Sequence, residues 1–460
     1  MASDKKVVVV GAGPGGYVSA IRAAQLGADV TVIEENSLGG VCLNAGCIPT
    51  KTLLASVEVL LQMRDAKQFG VNVEGAAPDF PGMVARKERI VSQLVKGIEF
   101  LFGKNGIKLV KGKVTGIAPG KIAIKKENDV EEEMVTENII IATGSLPAKP
   151  AVFQFDGERV ITSTEILRLK EVPDRLLVIG GGAIGVEFAY IFSALGTDVS
   201  VVEQMDQLLP GEDSEIAALL EKSLKQEKID VYTGSKVESL EIGEGIVSAK
   251  LSSGDVLKAD KVLVAVGRVP NTKHLGIEKM GILDERGFIK VNERMETSVG
   301  GIYAIGDAVG GMLLAHKASH EGIVAAENAV GSGACMQYDI VPRCIFTQPE
   351  VAAVGISENT AKERGREVKI GKFPFKALGK AWAIGKTEGM VKIIADASSG
   401  EILGVFIIGP QAADLIGEAA IAMKLEGTAE DIVDTIHAHP TLSEAIMEAS
   451  HSVFGKAIHT

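Results

Sequence analysis

Residues 7–34, VVVVGAGPGGYVSAIRAAQLGADVTVIE, and residues 176–203, LLVIGGGAIGVEFAYIFSALGTDVSVVE, are one pattern written twice. Each runs through an apolar strand, a Gly-x-Gly-x-x-Gly turn, an amphipathic helix, a Leu-Gly stop, a second strand and a terminal Glu. From the first Gly to that Glu is 23 positions in both copies, Gly11 to Glu34 and Gly180 to Glu203. This order of elements is a Rossmann-like unit, so the chain has to build two of them.

The spacing has a chemical reason. The first glycine, Gly11 or Gly180, lets the strand turn sharply into the helix. The second, Gly13 or Gly182, leaves no side chain between the backbone and a pyrophosphate. The third, Gly16 or Gly185, lets helix and strand pack closely. Phosphates then sit at a helix N-terminus, where free N–H groups and the dipole favour negative charge. Glu34 and Glu203 are placed to accept hydrogen bonds from a ribose. Two copies imply two dinucleotides. The stretch after Glu203, QMDQLLPGED, holds no Arg or Lys to meet a 2′-phosphate, so the second site is expected to take NAD rather than NADP.

The runs KVVVVG, NIIIATG, RLLVIGG and KVLVAVG are apolar on both faces, as strands inside parallel sheets are. They account for a hydrophobic share of 46% and a mean hydropathy of +0.22. No apolar run reaches the roughly 18–20 residues of a membrane span. A formal charge of −12 argues against nucleic acid or anionic lipid as partner. The run KKENDVEEE, 125–133, mixes signs and reads as a solvated hairpin tip. The start, MASDKKVVVV, enters a strand with neither a signal core nor an Arg-rich presequence. A cytoplasmic protein is expected, or a processed form in an organellar matrix.

With 460 residues, several domains are expected. Residues 1–148 form the first unit and 149–270 an inserted second. Residues 271–340 return to the first, because GGIYAIGDAVGG repeats the strand-and-turn texture of IIIATGS and VLVAVGR. Residues 341–460 read as a separate α+β domain. No low-complexity linker separates these parts, so they should pack firmly. Asp307 serves either a cofactor's ribityl or phosphate region, or the cap of the next helix.

Two of the four cysteines stand in GGVCLNAGCIPTK, at the mouth of the first nucleotide site. Cys42 and Cys47 are five residues apart, a rise of about 7.5 Å in a regular helix. The pair should therefore straddle a distorted or incipient first turn. Three readings are open: a structural disulfide, part of a zinc site, and a redox pair beside an electron carrier. So few cysteines make no secreted framework. Zinc would need further ligands from His437, His439, Cys335 or Cys344, and no metal is expected. The redox pair is the favoured reading, and Lys51, one turn on, would favour a thiolate. Near the end, IHAHPTLSEA puts His439 five residues ahead of Glu444, a carboxylate able to fix its tautomer. His437 reads as an orienting or packing residue. His316 reads as structural or as cofactor lining.

GAGPGG, GGVCLNAGCIPTK, ATGS, GGGAIG, AVGR, AIGDA, MLLAHKA and HAHPTLSE occur in the order found in the disulfide-reducing flavoprotein oxidoreductases. The chain resembles that family along its whole length, most closely the branch acting on dihydrolipoamide. The resemblance implies a glutathione-reductase-like α/β fold: two Rossmann-like domains and an α+β dimerisation domain. It implies FAD at the first turn, with contacts from Gly11, Gly13, Gly16, Glu34, Lys51 and Gly112. Thr143, Gly144, Ser145, Asp307 and the segment Leu313, Leu314, Ala315 and His316 would complete that site. NAD would meet Gly180, Gly182, Gly185, Glu187, Glu203, Val237 and Gly267.

The family also implies catalysis by Cys42, Cys47, His439 and Glu444 in a homodimer, with His439 and Glu444 serving the other subunit's cysteines. The implied substrate is dihydrolipoamide on a lipoyl carrier domain of a 2-oxoacid dehydrogenase complex, or on the glycine cleavage H protein. No lipoyl domain precedes Lys5, so a separate protein should carry it. Ala45 and Thr50 replace the Val and Ser of many relatives without removing a functional atom. A mercuric reductase would add a cysteine pair near the C-terminus, which SHSVFGKAIHT lacks. A glutathione-type reductase would favour NADP. A non-catalytic scaffold would have no need of Cys42, Cys47, His439 and Glu444 together.

Overall fold

The computed structural model describes residues 5–126 and 129–459. The first repeat builds a five-stranded parallel sheet. Its order is Ile302–Ala304, Asn138–Ile141, Lys6–Val10, Asp29–Glu34, Lys108–Lys111. Val7 pairs with Val30 and Val10 with Ile33, in register along the strand. The second repeat builds Val160–Ile161, Lys261–Val264, Arg175–Ile179, Asp198–Val202, Asp230–Tyr232 in the corresponding order. The edge strands differ in origin. Residues 302–304 reach the first sheet from beyond the second unit, and residues 160–161 reach the second from before it. Ser145–Pro147 and Arg268–Pro270 pair antiparallel and tie the two units together.

The strands are apolar on both faces because both faces are covered, one by helices and the other by an antiparallel meander. Val7, Val9, Val32 and Ile140 pack against helix Pro14–Gln25 and its neighbour Ala315–Val330. Two three-stranded antiparallel meanders flank the sheets, 113–135 and 237–259. The 125–133 run lies across the hairpin of strands Lys121–Lys125 and Glu131–Val135. Its tip, residues 127–128, lies outside the described residues. From residue 343 the architecture changes to a five-stranded antiparallel sheet, 343–345, 350–355, 402–409, 390–396, 368–374. Helices Ala412–Lys424 and Glu444–Val453 pack against it. Among the described residues no helix is long and apolar enough to cross a membrane.

The cysteine segment departs from a single distorted turn. Cys42 sits in helix Gly40–Ala45 and Cys47 opens helix Cys47–Asp65. Gly46, at φ −152° and ψ −113°, breaks the two apart. That break folds the chain so that the thiols meet across it. Pro49 falls in the first turn of the second helix, where a missing N–H costs little.

Candidate active site

The two nucleotide turns match in detail. Gly11 and Gly180 have φ of +98° and +109°, and a Cβ on either would come within 2.5 Å of a carbonyl oxygen. A Cβ on Gly16 would stand 2.0 Å from the Gly11 oxygen, and one on Gly185 1.9 Å from the Gly180 oxygen. These four glycines are required by the fold itself. Gly13 and Gly182 are not: both have extended backbones with negative φ. A Cβ on Gly182 would meet nothing within 4 Å, and one on Gly13 only the Gly40 Cα at 3.9 Å. Each of these residues caps a helix with no side-chain hydrogen bond to the first-turn N–H groups. Bare donors behind a residue with no steric reason to be glycine fit a phosphate-bearing group.

The terminal acids repeat the match. Glu34 accepts from the Ala12 and Asn36 N–H groups at 2.7 Å each. Glu203 accepts from Gly181 at 2.7 Å and Met205 at 2.8 Å. One N–H per oxygen fixes the carboxylate and leaves lone pairs for a hydroxyl pair. Beside the first turn, the Thr143 hydroxyl is buried without a hydrogen-bond partner among the described residues. Such an atom marks where a bound group belongs.

Gly144 and Gly267 hold φ of +69° and +121° with open space around them. Gly112 has a packing reason, since a Cβ there would approach the Lys125 oxygen to 2.9 Å. Val237 is buried in the core of the second meander, so its side chain is unavailable to a ligand. Leu314 caps the helix that begins at Ala315, just after Leu313. His316 Nε2 lies 2.8 Å from the Pro342 oxygen, joining that segment to the start of the C-terminal domain.

At the thiols, Cys42 and Cys47 are both reduced and hydrogen-bonded to one another. The Cys47 thiol is drawn down to about 7, chiefly by the hydrogen bond from Cys42. Desolvation opposes that shift and the Lys51 charge adds to it. Cys42 is pushed far up, because it keeps the shared proton and is desolvated. The pair therefore gains one negative charge, on Cys47, as pH rises through about 7. Lys51 is held by both oxygens of Glu187 at 2.8 Å and lies over the Phe346 ring, 4.4 Å from its centroid. The Phe346 N–H donates to Glu187 at 3.0 Å. Glu187, expected on the second nucleotide, thus faces the first site through Lys51.

Asp307 does not cap the following helix. It accepts a hydrogen bond from the Ser145 hydroxyl, and Arg268 donates to Ser145 Oγ at 2.6 Å and to its carbonyl at 2.7 Å. Arg268 Nε lies 3.6 Å from Asp307, and its charge reaches Cys47. Sequence reasoning passed over both Arg268 and Phe346. The repeated Gly-Ser and Gly-Arg turns at 144–145 and 267–268 were the available signal for the first. The second had none.

At the other end of the chain, His439 Nδ1 lies 2.8 Å from Glu444 Oε1, and the Thr441 N–H holds Oε2 at 2.8 Å. Burial pushes the Glu444 carboxyl up, but the hydrogen bonds from His439 and Thr441 outweigh it and hold it below the usual range. An ionised carboxylate only accepts, so Nδ1 carries the proton and Nε2 is the free base. The imidazole is 78% exposed. Among the described residues no hydrogen bond joins it to Cys42 or Cys47, and Glu444's helix packs on the C-terminal strands instead. No cluster of three or more His, Cys, Asp or Glu residues suited to a metal occurs among the described residues.

The profile of the pyridine nucleotide-disulphide oxidoreductases matches residues 5–322, and that of their dimerisation domain residues 341–450. The chain belongs to the pyridine nucleotide-disulphide oxidoreductase family. Within this family it is 43% identical to a dihydrolipoyl dehydrogenase of Bacillus subtilis, over 100% of both chains. It is 45% identical to one of Thermus scotoductus over 98% of each, and 42% to a mitochondrial one of Pisum sativum over 99% and 93%. Among solved structures, LpdA of Mycobacterium tuberculosis matches with a TM-score of 0.90 at 29% identity, covering 97% of this chain and 99% of that one. The flavoprotein disulfide reductase RclA of Escherichia coli matches at 0.85 and 28%, covering 96% and 98%.

Proposed function

We propose that the protein is a dihydrolipoyl dehydrogenase, with FAD on the first nucleotide turn and NAD on the second. Residues 1–148 and 271–340 form the FAD domain, 149–270 the NAD domain and 341–460 the interface of a homodimer. The observation that carries the reading is the Cys42–Cys47 pair: one depressed thiol beside Lys51, within a chain bearing two dinucleotide turns. Dihydrolipoamide arrives on a lipoyl carrier domain of a 2-oxoacid dehydrogenase complex or a glycine cleavage H protein, in the cytoplasm or an organellar matrix.

In the oxidised enzyme Cys42 and Cys47 are joined by a disulfide. His439 of one subunit takes a proton from a substrate thiol through Nε2. The substrate thiolate attacks Cys42 Sγ, the Cys42–Cys47 bond breaks, and Cys47 leaves as a thiolate. The second substrate sulfur attacks the substrate sulfur bound to Cys42, that mixed disulfide breaks, and Cys42 leaves with the second thiol's proton, releasing the cyclic disulfide. The dithiol loses two electrons and the cysteine pair gains them. FAD and NAD⁺, when bound, carry those electrons onward as hydride. Lys51 holds negative charge on the Cys47 side, and Glu187 and Phe346 keep the ammonium there. Glu444 keeps the His439 tautomer.

The test is NAD⁺ reduction by dihydrolipoamide, with NADP⁺ alongside. Fast, NAD-selective turnover is expected. FAD-loaded protein that oxidises no dithiol would remove the lipoamide reading and leave the family. Gly182→Val probes the second turn separately. The backbone there accepts a side chain, and Val is a poorer helix cap than Gly, so unfolding should shift by about 1 kcal/mol or less. Calorimetric titration should show NAD⁺ affinity falling by about tenfold or more, because the new side chain occupies the phosphate position. Unaltered affinity would place NAD elsewhere.

A further inference from the structure

The stretch that follows Glu203 does not end in the second nucleotide unit. Leu208 packs on the face of Gly181, where a Cβ would approach it to 2.6 Å, and the Leu209 N–H donates to the Gly181 oxygen at 2.9 Å. The loop therefore lies against the nucleotide turn. Its far end, Glu212 and Asp213, is gripped from outside. Arg343, on the first strand of the C-terminal sheet, makes a two-pronged pair with Glu212 at 2.6 and 2.9 Å. Lys392, on another strand of that sheet, donates to Asp213 Oδ2 at 2.9 Å, with Glu358 at 3.2 Å and Glu215 at 3.4 Å. Both Lys392 and Asp213 side chains are only 4% exposed. The other oxygen of Asp213 caps the helix Ser214–Gln226. Lys372, on a third strand, pairs with Glu215.

Cations from three strands of one domain thus converge on the end of a loop whose other end carries Glu203. A buried ammonium is stable only where carboxylates surround it, so this contact has one geometry. The two-pronged Arg343 contact is equally directional. We propose that Arg343 and Lys392 are positioning residues for NAD: the dimerisation domain holds the 204–213 loop in the shape that presents Gly181 and Glu203 to the dinucleotide. Among the described residues no hydrogen bond or ion pair joins this loop to Cys42, Cys47 or Lys51, whose partners lie elsewhere. The clamp therefore acts on the NAD half of the reaction alone, a claim that rests on NAD occupying the second turn.

The test uses the FAD-loaded protein with Arg343→Gln, Glu212→Gln, the double variant and Arg343→Lys. The NAD⁺ dissociation constant is measured by calorimetry, and flavin reduction by dihydrolipoamide by anaerobic stopped flow. Each Gln variant should weaken NAD⁺ binding about 5- to 10-fold, and the double variant no more than the worse single one. Arg343→Lys, which keeps the charge, should recover part of the loss, and dithiol reduction of the flavin should keep its rate in all four. Glu212→Gln changes no basic residue and serves if Arg343→Gln fails to fold. Wild-type protein that binds no NAD⁺ would remove the underlying reading. Variants that bind NAD⁺ as tightly as a competent wild type, or that lose both half-reactions equally, would remove the clamp alone.

Discussion

Cys47→Ser is expected to lower dihydrolipoamide oxidation by about 10³-fold or more, with FAD still bound. Cys42→Ser should do the same for a different reason. Without Cys42 there is no sulfur for the substrate to attack. Without Cys47 there is no leaving thiolate and no store for the electron pair. Neither residue belongs to the turn Gly11–Gly16 or holds Glu34, so cofactor retention and melting temperature should change little. Near-normal turnover by either variant would end the redox-pair reading. The reduced pair supplies a sign as well. Cys47 titrates near 7, so its thiolate is present above that pH and lost below it. Alkylation by iodoacetamide should rise through pH 7 and level off above, and Lys51→Gln should move the rise to higher pH. A profile unmoved by loss of Lys51 would detach that charge from the thiol.

The second large effect is at His439. His439→Gln keeps the shape and a hydrogen bond to Glu444 but removes the base. Dithiol oxidation should fall by about 10²- to 10⁴-fold at neutral pH, the range that general-base catalysis supplies. The deficit should shrink at high pH, where substrate thiols ionise unaided. Thiolate formation on Cys47 should be unaffected, because Lys51 and Cys42 dominate it. Kinetics unchanged by the substitution would strip His439 of its acid–base role.

How much of this was legible in the chain depended on how far apart the partners lie. The glycine turns and Glu34 and Glu203 were readable because a strand, turn, helix and strand impose their own spacing over 23 positions. His439 and Glu444 were readable because five residues and one helix start bring them together. The meeting of Ser145 with Arg268 spans 123 residues and that of Glu187 with Phe346 spans 159, with no local pattern to announce either. The Glu187 pairing was equally hidden: its helix belongs to the second unit, while its carboxylate points out of it, to Lys51. Val237 lies in a short strand whose burial depends on meander packing that periodicity does not specify. The Gly46 break was half visible: the cysteine spacing demanded irregularity, but only backbone geometry divides it into two helices.

The Glu187 carboxylate has a consequence for how the protein is made. Its partners, Lys51 and the Phe346 N–H, come from the early and late parts of the chain, with Glu187 itself between. A ribosome releases these in order. A nascent chain can close both nucleotide turns from local contacts, yet it carries a buried carboxylate short of one donor until residue 346 has emerged and its strand has docked. Contacts of such sequence separation form late. A chain stalled before that point would already hold its cofactor cradles, while the ammonium beside its thiols would not yet be locked in place.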